Sequence, residues 1–295
     1  MAWFEGFGTW QIRFDDLNLH VLKGGQGPAL LLLHGYPQTH LIWRHLAPLL
    51  AQGFTVYCPD MKGYGDSSAP PPSADSGNYT KRQLAAEMVE LMHLQGHQRF
   101  AVMGHDRGAR VAYRLALDFP EVVTHLVSLD IVPTGSYWDL ADKRFALATF
   151  HWGFLAQGDG MPEKLIGGDP DYWLDWIVRH WTGDITKFPE AVMAEYRRCF
   201  RKPEVIAATC ADYRAGATLD YAHDKADLRA GRKIECPVYT FWSGTFVDDQ
   251  SDALMIWRQW ADDVRGEKVT SGHFIPEEIP EKIVGPVMGF LGGRG

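Results

Sequence analysis

The feature that most constrains this sequence is a short apolar segment that runs directly into a glycine-rich turn. Phe100-Ala101-Val102-Met103 has the composition of a buried strand, and Gly104-His105-Asp106-Arg107-Gly108 follows it without a spacer. Apolar residues then recur at helical spacing. Two glycines around one carboxylate permit a tight turn that lifts Asp106 above a sheet, at the N-terminus of a helix that favours negative charge. The plain structural alternative is a turn that only caps a helix.

Strand and helix patterns alternate along much of the remaining chain. We predict further buried strands at residues 29–33, 54–58 and 126–130, and a helix over residues 80–94 that Thr80 and Gln83 begin as a capping box. Strand patterns return at residues 237–242 and near residues 268–270. This alternation predicts a mostly parallel central sheet that is flanked by helices.

The strand patterns disappear in the middle of the chain, where Trp and His recur at helical spacing. We therefore predict a helical cap domain at residues 137–213, inserted after the strand that ends at Asp130. Residues 1–136 and 214–295 would form the α/β core.

Composition and charge disfavour several classes of protein. The chain has 29 Lys and Arg against 37 Asp and Glu, a net charge of −8, which disfavours a nucleic-acid partner. No apolar stretch approaches the ~20 residues that cross a bilayer, and no basic segment precedes an apolar one at the N-terminus. The four cysteines contain no Cys-x-x-Cys pair for a metal or redox site. We expect a cytoplasmic protein without a membrane span.

Three titratable residues lie at the predicted carboxyl ends of strands: Asp106, Asp130 and His273. This order matches the nucleophile, acid and base of the α/β-hydrolase fold, with Asp106 where Ser often stands. A carboxylate can displace a leaving group from saturated carbon and form an ester, which His273, oriented by Asp130, would hydrolyse with water. Organohalides and epoxides are the two substrate classes for this scheme. It requires neither a metal nor an organic cofactor.

Two further assignments concern the oxyanion hole and the identity of the acid. The backbone N–H groups of Tyr36, within His34-Gly35-Tyr36-Pro37, and of Arg107 are candidates for the oxyanion hole. Many α/β hydrolases place the acid after the strand predicted at residues 237–242, so Asp248 or Asp249 is a rival to Asp130.

Two arginines, Arg107 and Arg110, lie beside the candidate nucleophile. Adjacent guanidinium groups repel each other unless an anion lies between them, and a substrate carboxylate fits because Arg binds it through two hydrogen bonds. The alternative is that both arginines form ion pairs with protein acids such as Asp130 or Asp60.

The sequence resembles the fluoroacetate dehalogenases, a branch of the α/β hydrolases, over most of its length. The matching segments are Gly104-His105-Asp106-Arg107-Gly108 with Arg110, Leu129-Asp130-Ile131-Val132-Pro133-Thr134, His151-Trp152, Asp212-Tyr213-Arg214-Ala215-Gly216 and Gly272-His273-Phe274. The resemblance implies that Arg107 and Arg110 bind the carboxylate of a small haloacid. It also implies that His151, Trp152 and Tyr213 donate hydrogen bonds to the halide, and, by analogy, a homodimer.

The sequence departs from this family at Tyr36, where these dehalogenases tend to carry Phe; its hydroxyl is expected near the substrate or the acid network. An epoxide hydrolase is the alternative enzyme, with cap phenols such as Tyr172, Tyr196 and Tyr221 facing the nucleophile. From a different class, a non-catalytic receptor for a small acid would have no use for an intact nucleophile, acid and base.

Overall fold

The computed structural model describes residues 3–246 and 252–292 and is built around an eight-stranded sheet. The strands run in the spatial order β1-β2-β4-β3-β5-β6-β7-β8, and β3 to β8 are parallel to one another. The strands are β1 (Phe7–Phe14), β2 (Leu17–Gly24), β3 (Ala29–Leu33), β4 (Thr55–Pro59), β5 (Phe100–His105), β6 (Val123–Leu129), β7 (Val238–Trp242) and β8 (Val264–Lys268).

Helices cover both faces of this sheet, so the predicted fold class is confirmed. The α-helices are α1 (Ala47–Leu50), α2 (Lys81–Leu94), α3 (Arg107–Asp118), α4 (Thr134–Asp139), α5 (Lys143–Ala148), α6 (Phe150–Leu155), α7 (Met161–Gly168), α8 (Pro170–Trp181), α9 (Glu190–Phe200), α10 (Pro203–Ala217), α11 (Leu219–Arg229), α12 (Ala253–Trp257), α13 (Ile275–Glu278) and α14 (Pro280–Phe290).

The predicted strands and helix near the site are present. All five side chains of β3 are buried, as expected for a central parallel strand with helices on both faces. Helix α2 begins after Thr80, whose hydroxyl accepts the Gln83 N–H at 3.3 Å. The predicted capping box is therefore confirmed on the Thr80 side.

The edges of the sheet differ from the prediction. The antiparallel strands β1 and β2 were not predicted, because β1 is mostly solvent-exposed and lacks a clear apolar pattern. The last strand occupies Val264–Lys268, earlier than the pattern near residues 268–270, and it too is largely exposed. Edge strands bury little surface, so hydrophobic patterning marks them poorly.

Only helices connect β6 to β7, from Thr134 to Arg229. Helix α10 crosses the predicted domain limit at residue 213 without interruption, and α11 follows it closely. The limits 137–213 for a cap domain stay a prediction; we use "cap" below for helices α4 to α10. In the ranges that the structure describes, no helix has the length and apolar character needed to cross a bilayer.

Candidate functional site

Asp106 lies at the turn between β5 and α3. Its backbone φ of 49° falls in the left-handed region, which residues other than glycine rarely adopt. A Cβ at Gly104 would lie 2.5 Å from Ala109 Cα, and one at Gly108 would lie 2.2 Å from Leu33 O. Close packing therefore requires glycine on both sides of the turn. The strained turn holds the Asp106 carboxylate at the carboxyl end of the sheet.

The loop after β3 packs directly against this carboxylate. The backbone N–H of Tyr36 donates to Asp106 Oδ1 at 2.9 Å, and a Cβ at Gly35 would lie 2.5 Å from Asp106 Cβ. Arg107 is the first residue of α3, so its N–H has no acceptor within that helix. Its role as the second oxyanion donor stays a prediction.

His273 lies between the two predicted carboxylates. Its Nδ1 is 2.7 Å from Asp130 Oδ2, and its Nε2 is 3.7 Å from Asp106 Oδ2. The Asp130 carboxylate also accepts hydrogen bonds from the backbone N–H of Ser243 at 2.6 Å and from its hydroxyl at 3.1 Å. Asp130 is therefore well placed to orient His273.

The rival acids Asp248 and Asp249 lie outside the described residues. Ser243 was not identified from the sequence. Ser243 follows β7, the strand after which the rival acid was expected. It does not supply a carboxylate itself; its hydroxyl donates a hydrogen bond to Asp130.

Opposite charges determine the protonation of this triad. Burial alone would raise the pKa of Asp106, but the nearby imidazole of His273 outweighs burial and holds that pKa well below its usual range. Burial alone would lower the pKa of His273, but Asp106 and Asp130 together raise it to about 9. The resting site therefore contains an ionised Asp106 carboxylate and a protonated His273 imidazole at neutral pH.

Arg107 forms an ion pair with an acid that was not predicted. Its Nε donates to Asp212 Oδ2 at 2.9 Å, and its Nη2 donates to Asp212 Oδ1 at 2.9 Å and to the Asp212 carbonyl at 2.7 Å. Asp212 also accepts from the buried Lys81 and, at 2.9 Å, from the Tyr64 hydroxyl. The expected partners Asp130 and Asp60 do not contact Arg107 within ion-pair distance. No local sequence pattern pairs Asp212 with Arg107, although Asp212 lies in one of the segments that resemble the dehalogenases.

Arg110 is held by neutral acceptors. Its Nη1 donates to the Val132 carbonyl at 3.1 Å and to the Thr134 hydroxyl at 3.2 Å. Within the described ranges, no carboxylate lies within 4.0 Å of its guanidinium nitrogens. Arg107 Nη1 and Arg110 Nε are both buried without a hydrogen-bond acceptor. Each guanidinium is thus fixed by protein contacts and retains a free N–H.

The three predicted halide donors lie together in the structure. The His151 and Tyr213 ring centroids are 5.7 Å apart, and those of Trp152 and Tyr213 are 6.2 Å apart. The Arg107 guanidinium lies 4.1 Å from the centroid of the Tyr213 ring, and that of Arg110 lies 4.5 Å from the Trp152 ring. These contacts are cation–π interactions that hold both aromatic rings in place.

The donors have protonation states that suit a leaving anion. Burial lowers the pKa of His151 to about 3, so its imidazole is neutral and one ring nitrogen carries a proton. Burial, together with the Asp106 charge, keeps the pKa of Tyr213 well above its usual range. The Tyr213 hydroxyl and His151 Nδ1 are buried without a hydrogen-bond partner. Both can therefore interact with a ligand.

A small cavity brings several of these groups together. Its volume of about 10 Å³ corresponds to roughly one water molecule. The cavity is lined by Asp106, Arg110, Asp130, Ile131, Tyr137, His151, Trp152 and Phe246. Arg107 and Tyr213 are not among the residues that line it.

The Tyr36 hydroxyl, expected near the substrate or the acid network, contacts the cap and not the acids. It accepts a hydrogen bond at 2.5 Å from Trp173 Nε1, which belongs to helix α8 of the cap. The ring of Tyr36 instead packs edge-on against Tyr213, with centroids 5.3 Å apart. Tyr36 therefore links the loop after β3 to the cap.

The three phenols considered for an epoxide hydrolase, two in the cap and Tyr221 on α11, do not line this cavity. Tyr172 is 67% exposed, the Tyr196 hydroxyl donates to Glu277, and the Tyr221 hydroxyl donates to Asp139. Tyr137, which was not considered, does line the cavity, and its hydroxyl donates to the Phe246 carbonyl at 3.2 Å.

Potential metal-ligating groups occur elsewhere in the described part of the chain. One group contains His20, His40 and Asp60, but the Asp60 carboxylate already accepts from the ring and the backbone of His40. The second group is Asp66, Glu195 and Cys199. Neither group includes a residue that lines the cavity.

Comparison with known proteins agrees with the fold and with this arrangement of residues. Residues 28–156 match the α/β-hydrolase fold family. A solved structure from Nostoc sp. PCC 7120, provisionally described as an α/β hydrolase, is 46% identical, with a TM-score of 0.94 and coverage of 97% of this chain and 98% of that one. The chain therefore belongs to the α/β-hydrolase family.

Two curated relatives narrow the comparison within that family. A fluoroacetate dehalogenase from Burkholderia sp. is 40% identical over 94% of this chain and 91% of its own length. A soluble epoxide hydrolase from Corynebacterium sp. (strain C12) is 31% identical over 95% of this chain and 96% of its own. The chain is thus a hydrolase of the haloacetate dehalogenase-like type, and epoxide hydrolases are also close relatives.

Proposed function

We propose that this protein hydrolyses short 2-haloacids, such as fluoroacetate or chloroacetate, to glycolate and halide. The observation that carries the proposal is a set of four buried polar atoms near Asp106 that lack hydrogen-bond partners. They belong to Arg107, Arg110, His151 and Tyr213. Buried polar groups without partners are rare, so such a set suggests a bound ligand. A haloacid would supply two acceptors, its carboxylate and its departing halide.

In the first step, the Asp106 carboxylate attacks the carbon that bears the halogen. The new C–O bond forms as the carbon–halogen bond breaks, and the halide leaves with the bonding electrons. The Tyr36 N–H holds Oδ1, so Oδ2 is the oxygen available for attack. The free N–H groups of Arg107 and Arg110 would orient the substrate carboxylate.

The leaving halide carries a localised charge and needs hydrogen-bond donors. The neutral imidazole of His151, the indole of Trp152 and the phenol of Tyr213 are close enough together to serve one anion. By analogy with oxyanion-hole donors, each contributes roughly 2.7–4 kcal/mol to the transition state. Fluoride requires these donors most because its charge is the most concentrated.

In the second step, water attacks the carbonyl carbon of the Asp106 ester. Esterification removes the Asp106 charge, so His273 first releases to solvent the proton that it carries in the free enzyme. His273 Nε2 then accepts a proton from the attacking water, and Asp130 stabilises the resulting imidazolium. The Tyr36 N–H, with that of Arg107, would stabilise the oxyanion. The tetrahedral intermediate then collapses: the bond from the carbonyl carbon to the glycolate oxygen breaks, and that oxygen takes the proton from the His273 imidazolium. The Asp106 acid proton then passes to His273, which restores the Asp106 carboxylate and the protonated imidazole.

Halide release tests the proposal directly. Purified protein is incubated with fluoroacetate and, separately, with chloroacetate, and fluoride and chloride are measured with ion-selective electrodes. We expect release of both halides with stoichiometric glycolate. Release of chloride alone would restrict the proposal to halides that leave more readily than fluoride. Release of neither halide would refute the proposal.

Replacing Arg110 should change substrate selectivity. Arg110→Met removes charge-assisted hydrogen bonds to the substrate carboxylate, so kcat/KM for chloroacetate should fall about 30- to 1,000-fold, corresponding to roughly 2–4 kcal/mol. The neutral analogue chloroacetamide should be affected much less. Arg110→Lys is the matched control because it keeps the charge but lacks the planar fork. Equal losses for both substrates would contradict carboxylate recognition by Arg110.

The ester intermediate should lower the pKa of His273. In the free enzyme, Asp106 and Asp130 raise this pKa to about 9, so the imidazole is protonated below that pH. Esterification neutralises Asp106, and the pKa must fall toward the value that Asp130 alone supports. Ester hydrolysis should therefore rise with pH, with an apparent pKa below 9, whereas NMR titration of the free enzyme should give about 9. Equal values would contradict the intermediate.

An epoxide hydrolase is a second candidate, favoured by a specific observation. Tyr137 lines the cavity with Asp106, and the buried Tyr213 hydroxyl has no partner and is available to an opening epoxide oxygen. The Tyr137 hydroxyl would first have to give up its hydrogen bond to the Phe246 carbonyl. Diol formation from small epoxides such as glycidate or styrene oxide would favour this function. The free N–H groups of the arginines favour the haloacid.

A further inference from the structure

The backbone around His273 is attached to the cap. The His273 N–H donates to the Trp181 carbonyl, at the end of α8, at 2.7 Å. The Trp181 ring also lies perpendicular to the His273 ring, with centroids 5.4 Å apart, and 4.5 Å from the ring of His151. The candidate base and a candidate halide donor therefore contact the same cap residue.

One buried carboxylate completes this attachment. Glu278 accepts the N–H groups of Gly272 at 3.0 Å and Phe274 at 3.1 Å, which flank His273, and the N–H of Gly183 in the cap at 2.9 Å. Its side chain is only 7% exposed. Three N–H donors on one carboxylate are charge-assisted hydrogen bonds, which are stronger than neutral ones.

Two glycines allow the chain segments to approach this closely. A Cβ at Gly183 would lie 2.8 Å from the Gly272 nitrogen and 3.0 Å from Glu278 Oε2. A Cβ at Gly272 would lie 2.1 Å from the Gly183 nitrogen. We call Glu278 together with the backbone of Trp181, Gly183, Gly272 and Phe274 the Glu278 clasp.

We propose that Glu278 is a positioning residue that fixes His273 for ester hydrolysis and couples the base to the cap. This inference rests on the proposed two-step reaction. The role is specific to the second step, because Asp106 can attack the substrate without a base, whereas water cannot attack the ester efficiently without His273. A loosened clasp should slow ester hydrolysis and leave ester formation nearly unchanged.

The test separates the two steps. Enzyme and chloroacetate are mixed and quenched; the first turnover of chloride gives the rate of ester formation, and intact-protein mass spectrometry gives the fraction that carries a carboxymethyl ester. Glu278→Gln cannot accept all three N–H groups, and misplacing the base should slow ester hydrolysis about 10- to 100-fold. We expect ester to accumulate in this variant, with chloride release in the first turnover close to that of the wild type.

Matched variants make the result specific. Glu281→Gln changes an exposed carboxylate three residues away and should behave as the wild type. Gly183→Ala disturbs the clasp from the cap side and should also accumulate ester, so it tests the same contact if Glu278→Gln does not fold. Unchanged ester hydrolysis in both clasp variants, or equal slowing of the two steps, would overturn the inference.

The His273→Asn protein distinguishes failure of the inference from failure of the proposed function. Ester in His273→Asn but not in the clasp variants overturns only the role of Glu278. Absence of both chloride and ester in His273→Asn, with no turnover by the wild type, overturns the proposed function and the clasp's role with it.

Discussion

Asp106→Asn is expected to abolish halide release from haloacids. An amide oxygen is a far weaker nucleophile than a carboxylate, and the substitution removes the atom that forms the ester. By comparison with the loss of a covalent nucleophile in other hydrolases, kcat should fall on the order of 10⁴- to 10⁶-fold. The measurement is fluoride and chloride release over many hours, at an enzyme concentration high enough to detect a residual rate.

This variant and the wild type together separate an enzyme from a receptor. The Asn side chain can keep the hydrogen bond from the Tyr36 N–H to its amide oxygen, so the turn should stay folded. Calorimetric binding of fluoroacetate by Asp106→Asn, without turnover, is compatible with both classes. A wild-type protein that binds fluoroacetate but never releases halide would favour the receptor. Asp106→Ala serves as a second variant, because Asn can revert to Asp by deamidation. Full activity in both variants would refute Asp106 as the nucleophile.

The sequence predicted those features for which the backbone geometry or the chemistry requires particular residue types. The glycines around Asp106 are required by contacts below 3 Å, so the turn could be recognised from residue types alone. The buried strands β3 and β5 were predictable because central parallel strands are almost wholly apolar. The pairing of His273 with Asp130 followed from their positions after strands, and the structure places them 2.7 Å apart.

Other features depend on contacts between distant segments. Asp212 is 105 residues from Arg107, and no local pattern predicts their ion pair. Glu278 lies 95 residues from Gly183, and its three hydrogen bonds are all to backbone N–H groups, which any sequence supplies. The Tyr36 hydroxyl was expected near the substrate or the acid network, because Tyr36 lies in the loop predicted to supply an oxyanion-hole N–H. Its orientation toward Trp173 depends on how the cap packs over the loop.

His273→Asn is expected to stop the reaction after one turnover. Asn lacks a group that can accept a proton from water at neutral pH, so hydrolysis of the Asp106 ester should slow about 10²- to 10⁴-fold. Ester formation does not require the base. Chloroacetate should therefore yield a burst of about one chloride per active site, followed by very slow release, and the protein should gain the mass of one carboxymethyl group.

The location of that added mass decides between mechanisms. Peptide mapping should find it on Asp106. Both Asp106 and Asp130 line the cavity, but the Asp130 oxygens are engaged by Ser243 and His273, whereas Asp106 Oδ2 is 3.7 Å from His273 Nε2, beyond hydrogen-bond distance. If His273 instead activated water for direct attack on the substrate, His273→Asn would lose the burst along with turnover, and no ester would form. A burst with the label on Asp106 is compatible only with a covalent intermediate, and His273 would then act after halide departure.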